Sequence, residues 1–260
     1  MNMERGSVDV VVPIFNGRDT IEAALRSVLA QDGDLLHEII VVDDGSTDGS
    51  AEVVMAIGSE KIRLFRTSNH GVACARNLGI ERSSAEWIAF LDADDLWEEN
   101  KLRTQIQAAA DFGSGFICGT VNDLPISRSR PISAFSLWRG NFVATSSVLV
   151  KREILLQSAP VFKTGMAFAE DYLAWLKCLT LTPGYYVSAN LATYILSARP
   201  RYDWRQILKS LVLLNVTFTT FVWRTHSGLA KKILLPVSLL VGSAISLFSI
   251  LKRFLRSRHA

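Results

Sequence analysis

Cysteine is scarce in this chain. Three residues, Cys74, Cys118 and Cys178, are spread over 260 positions, too few and too scattered for a disulfide framework or a Cys-based zinc site. The four histidines, at 37, 70, 226 and 259, show no metal-ligand spacing. Glycine and proline are modest, 16 and 7, while 49% of residues are hydrophobic and 20% charged. These values exclude a collagen-like, low-complexity or disordered chain. The first nine residues contain Glu4, Arg5 and Asp9 and no apolar run, so no secretory signal is read there and the body is expected in the cytoplasm. Acid is missing altogether from residues 204–260, which carry nine Lys and Arg. With an overall charge of +3, the first 203 residues are left at −6. An acidic body joined to a basic, apolar tail points to an anionic surface as partner.

What is present alternates. Val8-Asp9-Val10-Val11-Val12-Pro13 is a β-branched run stopped by a proline, and reads as a buried strand. In residues 20–31, Ile21, Ala24, Leu25, Val28 and Leu29 fall on one helical face. Glu38-Ile39-Ile40-Val41-Val42 is a second strand, ended by Asp43-Asp44-Gly45-Ser46, with Thr47 or Asp48 placed to cap a helix over about 50–57. A short strand at 62–65, a helix over 71–82 and a strand at 87–91 follow, the last ended by Asp92-Ala93-Asp94-Asp95 and a helix over 96–110. Strands are also read at 116–118 and 147–150, a loop at 127–131 and a helix from Glu170. Strand–helix alternation with continuously apolar strands predicts an α/β fold, Rossmann-like, with a mostly parallel sheet and helices on both faces. Such folds bind ligands at the carboxyl ends of strands, where both acidic clusters sit.

Asp92-x-Asp94 places two carboxylates on the same side of a strand end. Such a pair suits Mn²⁺ or Mg²⁺ shared with a diphosphate; it also suits plain capping of the next helix. Asp44 can accept a hydrogen bond from a base or ribose, or serve only its turn. Arg76, on an early helical turn, can hold a phosphate or an acidic side chain. Glu170-Asp171 opens a helix, where an acid is favoured by the dipole; over a cleft it can act as a general base.

Taken together, Val10-Val11-Val12-Pro13-Ile14-Phe15-Asn16, Val41-Val42-Asp43-Asp44-Gly45-Ser46, Asn69-x-Gly71 with Ala75-Arg76-Asn77-x-Gly79, and Phe90-Leu91-Asp92-Ala93-Asp94-Asp95 resemble the ordered motifs of family 2 glycosyltransferases with the GT-A fold. Thr145-Ser146-Ser147 and Ala169-Glu170-Asp171-Tyr172-x-x-Trp175 are similar to that family's acceptor-side motifs. The resemblance implies a catalytic domain over residues 1–203, its nucleotide-sugar half about 1–110 and its acceptor half about 111–203. It implies that Pro13, Phe15, Asp44, Arg76, Asp92 and Ala93 face the nucleotide sugar. Asp94 would bind Mn²⁺ or Mg²⁺, and Asp171 would be the base of a single inverting displacement. Glu170, Trp138 and Trp175 are acceptor-side candidates, although large aromatics more often pack in cores. No Gln-x-x-Arg-Trp run follows Asp171, so addition of one sugar is expected rather than polymerisation. The expected partners are a nucleotide-diphosphate sugar and a saccharide or lipid-linked acceptor, with no nucleic acid.

The tail, residues 204–260, lies outside the resemblance. Residues 233–251 form a 19-residue uncharged run between basic pairs. As a helix it would be ~28 Å long, near the thickness of a hydrocarbon core. Ser238, Gly242 and Ser246 form a small-residue stripe suited to packing in lipid. Spanning, interfacial and soluble helices all remain open, and attachment at the cytoplasmic membrane face through this tail is expected. A sugar nucleotidyltransferase is the rival enzyme class, but the loop Pro13-Ile14-Phe15-Asn16-Gly17-Arg18 lacks that class's Gly-rich phosphate cradle. A non-catalytic scaffold that keeps the fold is the third reading; Asp92, Asp94 and Asp171 speak against it.

Overall fold

The computed structural model describes residues 6–122, 128–194 and 204–225. β1 (Val8–Ile14), α1 (Ile21–Leu29), β2 (Leu36–Asp43), α2 (Ser50–Ala56), β3 (Ile62–Arg66), α3 (Val72–Arg82) and β4 (Trp87–Phe90) form the first half. β5 (Asp95–Trp97), α4 (Lys101–Phe112), β6 (Phe116–Val121), β7 (Arg130–Ile132), α5 (Ala134–Trp138), a 3₁₀ turn at Thr145–Ser147, β8 (Leu149–Lys151), α6 (Arg152–Gln157), α7 (Glu170–Leu181), β9 (Gly184–Tyr194) and α8 (Trp204–Thr225) follow. One sheet runs β3-β2-β1-β4-β8-β6-β9-β5, with β7 paired to β9. β3, β2, β1 and β4 are mutually parallel, as their apolar runs predict. Beyond β4 the sheet is mixed: β8 is antiparallel to both β4 and β6, β9 is parallel to β6, and β5 and β7 are antiparallel to β9.

Strand alternation divides β1 between two cores. Val8, Val10, Val12 and Ile14 pack with Ile21, Leu25 and Val28 of α1 and Leu102 of α4. Val11 turns the other way, toward Ala73 and Ile80 of α3 and the core that contains α7. Each fully buried Val or Ile contributes about 1.5–3 kcal/mol. α3 lies so close to β1 that a Cβ on Gly79 would come within 2.3 Å of Val11 Cγ1, which makes glycine the residue that fits there.

Several local expectations are corrected. α4 starts at Lys101 rather than at 96, because Asp95–Trp97 pairs with β9 as β5. Gly49, with φ 92°, stands at the start of α2 in place of Thr47 or Asp48; the Asp48 carboxylate instead accepts from the Ser50 and Arg18 amides. The loop expected at 127–131 gives way to β7 from Arg130. The uncharged run at 233–251 and the junction before α8 lie outside the described residues. Among the described residues, no helix is long and apolar enough to cross a membrane. α8 packs on α7, and its Leu214 and Phe218 join the same core as Trp175.

Candidate active site

The first acidic turn follows β2. The Asp44 amide donates to Ile14 O at 2.8 Å, which ties the turn to the end of β1. Its carboxylate, almost fully buried, accepts from Thr67 Oγ1 at 2.5 Å, the His70 amide at 2.8 Å and the Gly71 amide at 2.6 Å. Gly71 has φ 90°, a conformation glycine adopts without strain. Burial pushes the Asp44 carboxyl up, but these three hydrogen bonds outweigh it and hold the group below its ordinary value. Pro13, Ile14, Phe15, Asp44, Val72 and Ala75 line one pocket. The predicted Pro13, Phe15 and Asp44 are thus brought together. Val72 was not singled out from the sequence, and Ala75 was read only as part of the Arg76 motif. A second groove, between α2 and β3, is lined by Val54, Met55, Gly58, Ser59, Ile62 and Leu64, with no charged side chain.

The second acidic turn follows β4. Ser146 secures it from behind: its Oγ accepts from the Asp92 amide at 3.1 Å and donates to Asp95 Oδ2 at 2.5 Å. The indole of Trp97 donates to Ser146 O at 2.9 Å. The neighbouring residue, Thr145, donates its hydroxyl to Asp171 Oδ2 at 3.2 Å, while Asp171 Oδ1 accepts from the Tyr172 amide. Two consecutive residues of one 3₁₀ turn therefore hold the Asp92–Asp95 loop and the start of α7.

Arg76 makes a second bridge. Its Nη2 donates to Asp92 Oδ1 at 2.6 Å and its Nη1 to Glu170 Oε1 at 3.0 Å. The guanidinium lies 5.3 Å from the Phe162 ring centroid, and its side chain is only 5% exposed. Burial lowers the Arg76 pKa, but the charges of Asp92 and Glu170 more than offset it and hold the group above its ordinary value. Burial and the adjacent Asp171 raise the Glu170 carboxyl, against the pull of Arg76. The expectation that Arg76 holds the nucleotide meets a different geometry: both terminal nitrogens are engaged by carboxylates. Its Nε is buried without a partner among the described residues.

Asp94 lies half-buried two residues along the turn from Asp92, and Ala93 between them packs against the α1-side core. The donor set at this turn is carboxylate oxygen, the ligand type that hard divalent cations take along with phosphate oxygens, so these residues fit Mn²⁺ or Mg²⁺. Another acidic cluster, Asp9, His37 and Glu38, sits at the opposite, amino ends of β1 and β2. Asp9 is engaged by His37 Nδ1 and by the Ser84 and Ala85 amides, and Glu38 by Arg63. That cluster ties the α3–β4 turn to the sheet.

The aromatic candidates are corrected. Trp175 is fully buried, with ring centroids of Phe90, Phe116 and Phe162 at 5.4–5.8 Å. Trp138 is 5% exposed and stacked on Tyr172 and Phe218. Neither presents an open face to a sugar, because Trp175 packs against Phe90 of β4, Phe116 of β6 and Phe162, and Trp138 fills the space between α5, α7 and α8. Tyr194, missed in the sequence, pairs in register with Asp95 at the end of β9. Burial and the nearby Asp92, Asp95 and Asp171 raise its phenol above the ordinary value. The signal for it was weak, since β9 mixes buried and exposed positions without clean alternation.

Known proteins are similar to this chain in sequence and in fold. The model of Glycosyl transferase family 2 matches residues 9–131. The chain is similar, at 32% identity over 184 residues, to an uncharacterized glycosyltransferase of Haemophilus influenzae, covering 66% of this chain and 71% of that one. It is 30% identical over 180 residues to a UDP-Glc:alpha-D-GlcNAc-diphosphoundecaprenol beta-1,3-glucosyltransferase of Escherichia coli, covering 66% and 69%. Among solved structures, S. aureus TarS in complex with UDP-GlcNAc superimposes with a TM-score of 0.72 at 16% identity, covering 90% of this chain and 72% of that one. The mannosyltransferase PcManGT of Pyrobaculum calidifontis, in complex with GDP-Man and Mn²⁺, gives 0.63 at 20% identity, covering 93% and 74%. The fold is that of the GT-A glycosyltransferases, and with such relatives across two thirds and more of their own length the chain belongs to glycosyltransferase family 2.

Proposed function

We propose that this glycosyltransferase moves one sugar from a nucleoside-diphosphate sugar to a hydroxyl of a saccharide or lipid-linked acceptor, with inversion, in the making of a cell-envelope or extracellular polysaccharide. The observation that carries the reading is the double bridge. Arg76 joins Asp92 to Glu170, and Thr145-Ser146 joins Asp171 to Asp92 and Asp95. These bonds hold the donor-side acidic turn and the start of α7, with Glu170 and the proposed base, next to one another. The E. coli relative, whose name specifies a diphosphoundecaprenol acceptor, supports the lipid-linked alternative.

The pocket of Pro13, Phe15, Asp44, Val72 and Ala75 would take the nucleoside, with Phe15 as an exposed apolar wall. Asp92 and Ala93 would lie beside the ribose or donor sugar. Asp94 would hold the divalent cation, which when bound neutralises charge on the departing diphosphate. Asp171, oriented by Thr145 and by its own helix start, takes the proton of the acceptor hydroxyl. That oxygen then forms its bond to the anomeric carbon as the bond to the diphosphate oxygen breaks. The nucleoside diphosphate leaves with the electron pair, and the anomeric configuration inverts. Arg76 holds Asp92 and Glu170 in place. Attachment to the cytoplasmic membrane face through residues 204–260 is part of this reading, supported by the acid-free composition of that stretch.

The test is a panel of nucleotide sugars offered with Mn²⁺ or Mg²⁺, scoring nucleoside diphosphate release and the anomeric configuration of the product by NMR. One donor class should turn over with inversion and with dependence on added cation. Release that is unaffected by chelator, or a retained configuration, would overturn the metal or the inverting assignment respectively.

A further inference from the structure

The Thr145–Ser147 turn, which holds Asp92, Asp95 and Asp171, is itself held by buried polar side chains. Lys101 and Gln105 stand one turn apart on α4, so their side chains share a face. Both are 0% exposed, as are Ser146 and Ser147. Lys101 Nζ donates to Gln105 Oε1 at 2.6 Å and lies 3.9 Å from the Trp97 ring centroid. Gln105 Nε2 donates to Ser147 O at 2.8 Å and to Ile117 O of β6 at 3.3 Å. Trp97 donates its indole N–H to Ser146 O at 2.9 Å. Lys101 therefore touches both side chains that bond the carbonyls of the turn. The start of α4 is anchored in its own right: the Leu102 amide donates to Gln31 Oε1 at 3.1 Å, and Gln31 Nε2 to Glu98 O at 2.9 Å.

A lysine and an amide are costly ways to fill a core, and apolar side chains of the same length would fill it at less cost. A satisfied buried polar network does something else: it fixes one arrangement of the groups it joins. The Gln105 amide has two unlike ends. Lys101, donating to its oxygen, leaves its NH₂ for the two carbonyls.

We propose that Lys101 and Gln105 are positioning residues for sugar transfer, which set the Thr145–Ser147 turn and through it the spacing of Asp92 and Asp171. The inference rests on the transfer reading above and adds the side chains that place its two acids. A shift of the turn by about 1 Å would misalign them and lower the rate by up to about 100-fold. Asp44, in the pocket with Pro13 and Phe15, is held instead by the β3–α3 turn, so nucleotide binding does not depend on Lys101.

The test compares K101M, Q105M and K101M/Q105M with the wild type, using the donor that turns over in the panel above. The double variant replaces both partners by apolar side chains of similar shape, so urea unfolding should stay close to that of the wild type. In each variant kcat should fall roughly 10- to 100-fold, while the donor KM stays within about threefold. The double variant should lose little more than Q105M, because the two side chains act as one unit. Amide exchange at Ser147 and Val148, which bond to Ala144 O and Thr145 O, should quicken about tenfold in the variants, with β2 unchanged. Folded variants with wild-type kcat and unchanged exchange at the turn overturn the inference and leave the transfer reading standing. Losses of kcat and donor KM that follow the loss of stability assign the pair to the core alone and also overturn it. A wild type that turns over no donor in the panel overturns the transfer reading, and this inference with it.

Discussion

Asp44, on the proposed nucleotide side, and Asp171, on the proposed acceptor side, are both carboxylates, yet different parts of the chain hold them. The partners of Asp44 are the three groups of the β3–α3 turn, within 27 residues of it. The acceptor-side acids depend on distant side chains: Glu170 on Arg76, 94 residues away, and Asp171 on the same short turn that fixes Asp92. The nucleotide side is thus built by a local strand–helix unit. The acceptor side exists only once both halves of the sheet have closed. Damage to the first should stay local, whereas damage to the bridges should spread.

The contrast is sharpest in activity. D94A leaves the fold and the bridges in place but removes the proposed cation ligand, and nucleoside diphosphate release should fall about a thousandfold. Loss confined to a few-fold would move the cation elsewhere. R76M should reduce stability by about 3–5 kcal/mol in urea unfolding, because it leaves Asp92 and Glu170 without their buried counter-charge. Unfolding no easier than the wild type would show that the two halves stay together without this bridge. G79A tests the local unit. Its Cβ would press on Val11, costing about 1–3 kcal/mol in urea unfolding; unfolding like that of the wild type would show that α3 can move off β1.

The remaining effect concerns Lys177, buried beside α8, where it donates to Pro160 O and Val161 O. Burial pulls its pKa from 10.5 down to about 8. Between those two values the unfolded chain binds the proton and the folded one releases it, so stability should rise with pH across that window and be flat for this group below about 8. Thermal unfolding of the wild type against K177M from pH 7 to 11 reads the difference; parallel profiles would remove Lys177 as its source.

The same division governs what the sequence disclosed. β1, β2 and β4 are buried on both faces over most of their length, and such strands appear as nearly continuous apolar runs, ended by acids in β2 and β4. The pocket at Pro13, Phe15 and Asp44 and the Asp92–Asp94 turn were legible for that reason. β5 and β7 have three residues each and exist only through pairing with β9. β9 shifts register twice against β6, so no period could reveal it, and Tyr194 was missed with it. Arg76 was read as a candidate partner for phosphate or acid, but only the three-dimensional path of α7 shows that it meets Glu170. Trp175 carried a residue type suited to sugar stacking, and its place in the core follows from the aromatic cluster that closes over it.

Asp171→Asn addresses the shared cleft most directly. It keeps the size of the side chain and removes the proposed proton acceptor. With donor, cation and acceptor present, nucleoside diphosphate release should drop to the level of the blank while calorimetry still records nucleotide binding like that of the wild type. Turnover near the wild-type rate in this variant would contradict the claim that the start of α7 and the turn after β4 act together on one sugar.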